Sequence, residues 1–278
     1  MTGSLAGRTM VMSGGSRGIG LAIGLVAAKQ GANVVFLAKT AEPHPKLPGT
    51  VHTAAAAVEA AGGQAAGVVG DIRSEDDVQR AVDTAVERFG GVDIVVNNAS
   101  AIATVGTEQL SAKRYDLMQE INGRGTFLLT RAALPHLRNS PHPHILTISP
   151  PINLNPHWLG AHPAYTLSKY AMTLLTLGWA AEYADAGIAA NCLWPETYIA
   201  TSAVANMAEG DALLSSSRSP EIMGDAAVEI LGRPARDCTG HTFIDAQVLH
   251  DAGVADLSRY GGGAEPVLDI FLDERVTR

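Results

Sequence analysis

The chain has 278 residues, of which 46% are hydrophobic and 17% charged, with a formal net charge of −8 and a pI near 5.5. This composition fits a globular protein whose strands are buried on both faces, and it excludes an extended disordered chain. The acidic balance, in a chain with no run of lysine or arginine, argues against nucleic acid or an anionic membrane as a partner.

The N-terminus, MTGSLAGRTMVMSGG, has neither a basic segment nor a separate apolar one, so it does not resemble a signal peptide. No apolar run approaches the roughly 18 residues that span a membrane. The two cysteines, Cys192 and Cys238, lack CxxC or metal-ligand spacing and are expected to be free thiols. We therefore expect a cytoplasmic protein without a membrane partner.

Short apolar runs alternate with longer segments rich in Ala, Leu and Glu. This alternation is typical of a parallel sheet covered by helices on both faces. The sequence therefore predicts an α/β protein, a single-domain Rossmann fold over residues 1–278 with a doubly wound, seven-stranded parallel sheet. The candidate strands are RTMVMS (8–13), NVVFLAK (33–39), AAGVVG (65–70), VDIVVNN (92–98), HILTIS (144–149), IAANCLW (188–194) and HTFIDA (241–246).

The segment SEDDVQRAVDTAVERFG, residues 74–90, carries helix signals at both ends. Ser74 is the predicted N-cap, acidic residues follow in the first turn, and Gly90 supplies the C-terminal stop. Two stretches are predicted to be irregular, residues 41–50 and about 195–220. The second is long enough to form a lid over a substrate cleft, or else a mobile loop without a function.

A glycine-rich turn, SGGSRGIG, joins the first strand to the first helix. Gly14 permits the tight turn, Gly18 lets a pyrophosphate approach the backbone, and Gly20 permits close helix packing. The helix N-terminus presents unpaired N–H groups to phosphates. This context favours a dinucleotide site over a turn without a ligand. Its predicted residues are Gly14, Ser16, Arg17, Gly18, Ile19 and Gly20.

The residue at the end of the second strand indicates whether the dinucleotide is NAD or NADP. An acidic residue there would bind a free ribose 2′-hydroxyl and repel a 2′-phosphate. The strand instead ends in FLAKT, with Lys39 at that place and Arg17 as a second cation in the glycine turn. Both could be solvated surface charges, but together they favour NADP over NAD.

Further cofactor contacts are predicted after the third and fourth strands. Asp71 and Ile72 follow the third strand, where they could hydrogen-bond and cover the adenine. The motif NNAS follows the fourth strand and places small residues where the backbone must lie close to a cofactor. The contacts predicted there are Asn98, Ala99 and Ser100, while Asn97 is equally well interpreted as a turn-stabilising side chain.

Tyr165 and Lys169 lie at positions i and i+4 of a helical segment, PAYTLSKYAMTLLTLGWAAEYA, and so share one face. A lysine cation beside a phenol favours phenolate, so we expect a lowered pKa for Tyr165 and a general acid or base near neutral pH. Alone, the pair usually means a packed aromatic beside a solvated amine. Its place after the fifth strand, behind SGGSRGIG and NNAS, favours the catalytic interpretation.

These motifs, in this order, resemble the short-chain dehydrogenase/reductase family over about residues 5–250. A narrower resemblance to one member is carried by AKTAEPHPKLPGT, ISPPINLNP, NCLWPETYIAT and LDIFLDE. The resemblance implies that Tyr165 exchanges a proton with a carbonyl or alcohol, and that Lys169 also holds the nicotinamide ribose. It also implies a homodimer or homotetramer.

Other site residues follow from the same resemblance. Asn122, in EINGRGTF, matches an asparagine that bends its helix and anchors a water; otherwise it is a helix-interior residue bonded to a backbone carbonyl. Pro195, Ile199 and Thr201, in PETYIAT, match the loop that contacts the nicotinamide carboxamide. The family has a glycine where Glu196 stands, so this loop is expected to differ in shape.

The family's catalytic serine lies thirteen residues before the tyrosine, a position that Ile152 occupies here. Ser149 is the nearest hydroxyl if the intervening loop carries an insertion, and we expect it to hold the substrate oxygen. Asn153 is the rival donor, and Ser149 could also simply end the strand. On the first interpretation, Ser149→Ala lowers kcat/KM by about a hundredfold.

Two functions are consistent with these features. The first is an NADP-dependent oxidoreductase acting on a hydrophobic secondary alcohol, ketone or aldehyde; the second is a dinucleotide-binding scaffold or sensor with little turnover. Five apolar or aromatic residues are expected to line a substrate cleft and favour a hydrophobic substrate: Trp158, Leu159, Trp194, Tyr198 and Met207. Trp158 and Leu159 could instead be oligomer contacts. No metal site is predicted, because the histidines lack ligand spacing: His142, His144, His157 and His162.

Overall fold

Seven parallel strands form the centre of the protein, in a computed structural model that describes residues 3–43, 49–207 and 210–275. Their order across the sheet is β3-β2-β1-β4-β5-β6-β7. The strands are β1 (Thr9–Ser13), β2 (Asn33–Ala38), β3 (Gln64–Val69), β4 (Ile94–Asn97), β5 (His144–Ile148), β6 (Ala189–Trp194) and β7 (Thr242–Ile244). The predicted α/β Rossmann fold is confirmed.

Helices cover both faces of this sheet. They are α1 (Gly18–Lys29), α2 (Val51–Ala60), α3 (Glu75–Phe89), α4 (Ala112–Gln119), α5 (Gly125–Leu137), α6 (Pro156–Ala161), α7 (Pro163–Glu182), α8 (Ser202–Ala205), α9 (Gly210–Ser215), α10 (Glu221–Leu231) and α11 (Asp245–Asp251). One hydrophobic core joins the sheet to α1, α2, α10 and α11. A second core joins the other face to α3, α5 and α7.

The signals predicted for α3 are all present. Ser74 Oγ accepts a hydrogen bond from Asp77 N at 3.2 Å, and Gly90 ends the helix with a φ of 89°. Polar positions on the outer face and small apolar ones on the inner face allow close packing on the sheet. Val78, Ala81, Val82 and Ala85 form the buried stripe, with Phe89 partly buried beside it.

Two predicted boundaries need correction. The last strand was expected over residues 241–246, but β7 ends at Ile244 because Asp245 begins α11. Asp245 Oδ1 accepts hydrogen bonds from Ala246 N and Glu196 N, which satisfies the start of that helix. The region 195–220 contains α8 and α9 rather than irregular chain alone. Of the irregular stretch predicted at 41–50, residues 44–48 lie outside the described structure.

The strand order creates a crevice above the sheet. From β1 the chain proceeds to β2 and β3 on one side, whereas β4 to β7 extend on the other. The connections after β1 and β4 therefore leave in opposite directions, and a crevice opens between them at the carboxyl ends of these two strands. In sheets of this kind, ligands bind in the crevice at this switch point.

Candidate active site

The glycine turn after β1 needs its glycines for steric reasons. Gly14 has a φ of 74°, and a Cβ there would meet the Ala99 backbone at 2.9 Å. A Cβ on Gly20 would lie 2.6 Å from Asn98 Nδ2. Arg17, the N-cap of α1, makes no side-chain cap hydrogen bond, so the first N–H groups of α1 are not capped from within the helix. This turn is built to bring backbone close to an anionic group.

A cavity of about 490 Å³ extends from this turn to the carboxyl ends of β4 and β5. It brings together most of the predicted residues: Gly14, Ser16, Arg17, Gly18, Ile19, Lys39, Asp71, Ile72, Asn98, Ala99, Ser100, Tyr165, Lys169 and Thr201. It also includes Trp194, which was predicted for the apolar substrate cleft, and residues that the sequence did not indicate, among them Thr40, Ile121, Ile148 and Asn206. Among the predicted residues, five are not on its wall: Gly20, Asn122, Ser149, Pro195 and Ile199.

Charged groups gather at the β2–β3 end of the cavity. Arg17 Nη2 donates to Thr40 Oγ1 at 3.2 Å and to Gly49 O at 2.9 Å. Lys39, whose side chain is 61% exposed, pairs with Asp71 at 3.1 Å. Arg73 also pairs with Asp71, at 2.7 Å, and this arginine, together with Lys39, holds the pKa of the carboxyl well below its usual range. The Asp71 carboxylate is thus paired with two cations at this end of the cavity.

Tyr165 and Lys169 lie on α7 with both side chains buried, only 3% and 2% exposed. Lys169 Nζ donates to Ile148 O, the last carbonyl of β5, at 2.7 Å. The same nitrogen lies 5.0 Å from the centre of the Trp194 ring. α7 and the ends of β5 and β6 therefore fix the amine of Lys169, one helical turn after Tyr165 on the same helix.

The pKa of Tyr165 differs from the one expected from the sequence. Burial raises the pKa of Tyr165 well above its usual value, and the Asp269 carboxyl raises it further. Burial lowers the pKa of Lys169 to about 7. The predicted lowering for Tyr165 is therefore wrong for the protein as folded here, because removing water from a phenolate outweighs the nearby amine. The neutral phenol that results is the form that donates a proton.

Asn122 lies in a π-helical turn, Glu120–Arg124, between α4 and α5. Its Oδ1 accepts from Ala101 N at 2.8 Å, and its Nδ2 donates to Ala101 O at 3.0 Å and to Ser168 Oγ at 2.9 Å. It thereby joins the chain after β4 to α7, which carries Tyr165. A π-turn of this kind is often found at functional sites.

Beyond β6, Glu196 takes the place of a glycine and forms a buried ion pair. Its Oε2 lies 3.0 Å from Arg218 Nη1, with the two side chains 5% and 9% exposed. Arg218 also pairs through its backbone with Tyr198 and Ala200. This pair fixes the loop that leads to Thr201, whose methyl group would lie 3.3 Å from a Cβ at Gly18. Thr201 is thus placed at the glycine turn.

Neither candidate for the missing serine lies on the cavity wall. Ser149 is fully buried, its backbone N donates to Thr147 O at 3.0 Å, and its hydroxyl faces the thiol of Cys192. Asn153 gives its Nδ2 hydrogens to Phe271 O at 3.0 Å and to Asp273 Oδ2 at 2.9 Å. Its backbone bonds to Tyr170 Oη in both directions. Asn153 therefore connects the loop after β5 to the C-terminal segment.

The C-terminal segment brings two residues to the site that the sequence did not single out. The Phe271 ring, 1% exposed, stacks on Tyr165 with centres 6.2 Å apart and planes inclined by 26°. Asp269 is also buried, and burial raises the pKa of its carboxyl to about 7. Its charge affects both Tyr165 and Lys169. The only sequence signal was the motif LDIFLDE, more than a hundred residues from Tyr165 in the chain.

The histidines occupy separate places. His144 begins β5, at the edge of the sheet opposite the cavity, and burial lowers its pKa to about 4. His162 caps α7. Across residues 3–43, 49–207 and 210–275, no group of three or more His, Cys, Asp or Glu side chains is arranged to hold a metal ion. In the same ranges, no helix is long and apolar enough to cross a membrane.

The chain is similar to known proteins over nearly its whole length. The profile of the family described as short chain dehydrogenase matches residues 8–212. Hydroxysteroid dehydrogenase-like protein 2 of Xenopus tropicalis, the member that the four segments resemble, is 50% identical over 98% of this chain and 65% of its own length. The present chain therefore spans about 65% of the length of that relative.

Solved structures extend this similarity to the fold. A dehydrogenase from Xanthomonas campestris is 51% identical with a TM-score of 0.91, covering 97% of this chain and 99% of its own. A short chain dehydrogenase from Mycobacterium thermoresistibile is 52% identical, also with a TM-score of 0.91, covering 97% and 96%.

Proposed function

Because the chain belongs to the short-chain dehydrogenase/reductase family, we propose that it is an NADP-dependent oxidoreductase acting on a hydrophobic secondary alcohol, ketone or aldehyde. One observation carries the proposal: Tyr165 and Lys169 border the same cavity as the glycine turn. The cradle for a dinucleotide and the Tyr165–Lys169 pair thus share one cavity.

The residues of the cavity fit a dinucleotide. The glycine turn leaves a cradle that side chains would fill, and the uncapped start of α1 favours phosphate. Arg17 and Lys39 would hold a 2′-phosphate, Asp71 and Ile72 the adenine, and Asn98 to Ser100 the adjoining ribose and phosphate. Lys169 would hold the nicotinamide ribose, and Pro195, Ile199 and Thr201 the carboxamide. The cofactor supplies the hydride.

The protein's own contribution is a proton and its positioning. Burial raises the pKa of Tyr165 above its ordinary value, so its proton is in place at neutral pH. We propose that Tyr165 donates this proton to a carbonyl oxygen during reduction. Lys169, one helical turn after Tyr165 on α7, is itself held by its hydrogen bond to Ile148 O. Asn122 positions α7 through Ser168.

Aromatic side chains favour a hydrophobic substrate. Trp158, Tyr170, Trp194 and Phe271 pack around the substrate side of Tyr165. An apolar wall of this kind gains free energy by covering apolar surface of a ligand, on the order of 25 cal/mol per Å². Leu159 lies 40% exposed, and Tyr198 and Met207 belong to the loop region 195–220, which we propose borders the substrate.

The alternative is a dinucleotide-binding scaffold or sensor with little turnover. The position of Ser149 favours it, because this buried serine is not on the cavity wall. The two functions differ in what Tyr165 does. A scaffold binds the cofactor equally well without the phenol oxygen.

NADPH consumption with a panel of ketones and aldehydes tests the proposal. We expect turnover that Tyr165→Phe lowers by at least about a hundredfold while NADPH affinity is kept, as for loss of a general acid. Tyr183→Phe, a tyrosine at the far end of α7, is the matched control and should retain the activity. Cofactor binding without turnover, unaffected by Tyr165→Phe, would establish the scaffold instead.

We also propose an oligomeric state and a cellular location for the protein. α5 and α7 leave large apolar side chains exposed: Phe127 at 40%, Leu167 at 54% and Leu174 at 61%. Their exposure supports a homodimer or homotetramer that pairs these helices between subunits. We propose that residues 1–278 act as one domain in the cytoplasm, with a small-molecule substrate and neither nucleic acid nor a membrane as partner.

A further inference from the structure

Residues 264–273, here called the C-terminal strap, cross the active site as an extended segment. Leu268 forms an antiparallel bridge with Thr197. Asp269 N donates to Glu196 O at 3.0 Å, and Trp194 Nε1 donates to Ile270 O at 3.1 Å. The first half of the strap is therefore fixed along the chain that follows β6.

The second half of the strap covers Tyr165. Phe271 contacts Tyr165, Trp158, Tyr170 and Trp194, with ring centres between 5.4 and 6.2 Å apart. It is the only described non-glycine residue with a positive φ, at 74°, a backbone conformation unfavourable for a bulky side chain. The packing of its ring sustains that conformation. With the ring in place, Tyr165 is only 3% exposed.

Asp273 connects the end of the strap to the loop after β5 and to α6. Its Oδ2 accepts from Asn153 Nδ2 at 2.9 Å, and its Oδ1 accepts from Trp158 Nε1 at 2.7 Å and from Asn155 Nδ2 at 3.3 Å. These bonds, first that from Asn153, lower the pKa of the Asp273 carboxyl. The carboxylate is itself exposed. It is therefore a polar latch at the surface over an apolar ring.

Three glycines precede the strap. Gly261, Gly262 and Gly263 all have positive φ values, of 79°, 94° and 66°. A Cβ on Gly262 would lie 2.7 Å from Pro266. Glycine has the widest choice of backbone conformations, so this triplet is where the chain can change direction most freely. These glycines let the chain turn into the strap, whose first half stays fixed along the chain after β6, while the second half can lift where Asp273 holds it.

We propose that Phe271 is a specificity-determining residue, and that the C-terminal strap is a removable wall of the substrate site whose release at Asp273 admits the substrate to Tyr165. The specificity role rests on the proposed function, whereas the covering of Tyr165 does not. A substrate oxygen reaches the phenol only after Phe271 has moved, and the returned ring then packs against the substrate. The Phe271 side chain thereby limits the size of the substrate that fits beside Tyr165.

A first experiment needs no turnover. The whole chain is treated with N-acetylimidazole, which acetylates accessible tyrosines, and peptide mass spectrometry compares Tyr165 with Tyr115, which is 38% exposed and serves as internal standard. Asp273→Asn places an amide N–H opposite Asn153 Nδ2, so the latch is weakened. Glu274→Gln makes the same change of charge one residue along, with no bond in the latch, and is the matched control.

We expect acetylation of Tyr165 to be at least about tenfold faster in Asp273→Asn than in wild type or Glu274→Gln, the scale of losing one to two charge-assisted hydrogen bonds. Phe271→Ala should expose Tyr165 as well, with circular dichroism to show that it is folded. Equal and slow acetylation of Tyr165 in Asp273→Asn and Glu274→Gln overturns the latch, even if Phe271→Ala does not fold.

A second experiment measures specificity with NADPH and methyl ketones of increasing chain length. Phe271→Ala leaves a space that a longer ketone can fill with one or two more methylene groups. It should therefore raise the ratio of kcat/KM for long ketones to kcat/KM for short ketones by about tenfold. Asp273→Asn should lower KM for all of them alike, because more molecules are open. An unchanged ratio in folded Phe271→Ala overturns the specificity role. If wild type consumes no ketone but Tyr165 still becomes exposed, the proposed function fails and the removable wall stands.

Discussion

The buried ion pair of Glu196 and Arg218 makes the sharpest prediction about stability. The two side chains are 5% and 9% exposed and lie 3.0 Å apart, and Arg218 Nε has no other hydrogen-bond partner within the described structure. Glu196→Gln leaves the guanidinium buried without its carboxylate. Breaking such a pair costs about 3–5 kcal/mol. Arg275, 3.9 Å from the same carboxylate, is half-exposed and adds little.

The assay is urea unfolding, supported by thermal melting. We expect Glu196→Gln to lower the free energy of unfolding by about 3 kcal/mol and Tm by roughly 6–12 °C, at 2–4 °C per kcal/mol. Glu75→Gln is the matched control: Glu75 is 2.6 Å from Arg131 but both are more than half exposed. Its loss should stay below about 1 kcal/mol although its ion pair is shorter.

The double variant Glu196→Gln with Arg218→Met separates the cost of the unpaired charge from the value of the pair. It should recover at least half of the loss, since the unpaired guanidinium is then no longer buried. A loss in Glu196→Gln no larger than in Glu75→Gln would refute the reasoning. The nearby Asp245, whose Oδ2 is unpaired in the described structure, would then be the counterion of Arg218.

Three further outcomes are expected. Burial raises the pKa of Asp269 to about 7, so its contribution to stability is complete below about pH 4 and is lost as pH rises through 7. In melting experiments, the stability of Asp269→Asn relative to wild type should therefore rise by a few kcal/mol between pH 4 and pH 8. An equal difference in stability between the two proteins at both pH values would contradict this. Lys39→Ala should raise KM for NADPH about tenfold while leaving that for NADH unchanged, the size of one charged hydrogen bond to phosphate; an equal change for both would exclude a 2′-phosphate contact. Ser149→Ala distinguishes two roles in steady-state kinetics: the hundredfold loss in kcat/KM expected of an oxyanion donor, or, as its buried position away from the cavity favours, a loss of less than about threefold.

The sheet was predictable because its signals are local. Each strand is a short apolar run with a turn at its end, and α3 carries its N-cap at Ser74 and its stop at Gly90. The boundary at β7 was missed because Asp245 begins a helix, and its carboxylate is held there by a tertiary hydrogen bond that it accepts from Glu196 N. The nearby sequence alone does not reveal such a partner.

The cofactor half of the site was also within reach of the sequence. Gly14, Lys39 and Tyr165 lie in motifs whose spacing has a steric or electrostatic reason, and each borders the one cavity. The pKa of Tyr165 was not within reach, since it depends on how much water the folded chain removes from the phenol. That burial comes from Phe271, which lies over a hundred residues away.

Periodicity and motif spacing determine the α/β fold, the dinucleotide cradle and the Tyr165–Lys169 pair, because each depends on residues a few positions apart. Long-range packing decides the rest. The sequence favoured Ser149 over Asn153 as the donor, but only the tertiary structure shows that the C-terminal segment takes both Nδ2 hydrogens of Asn153 and that Ser149 faces Cys192. Asp269 and Phe271 belong to the site only because the chain returns across the end of β6, and no local pattern encodes that return.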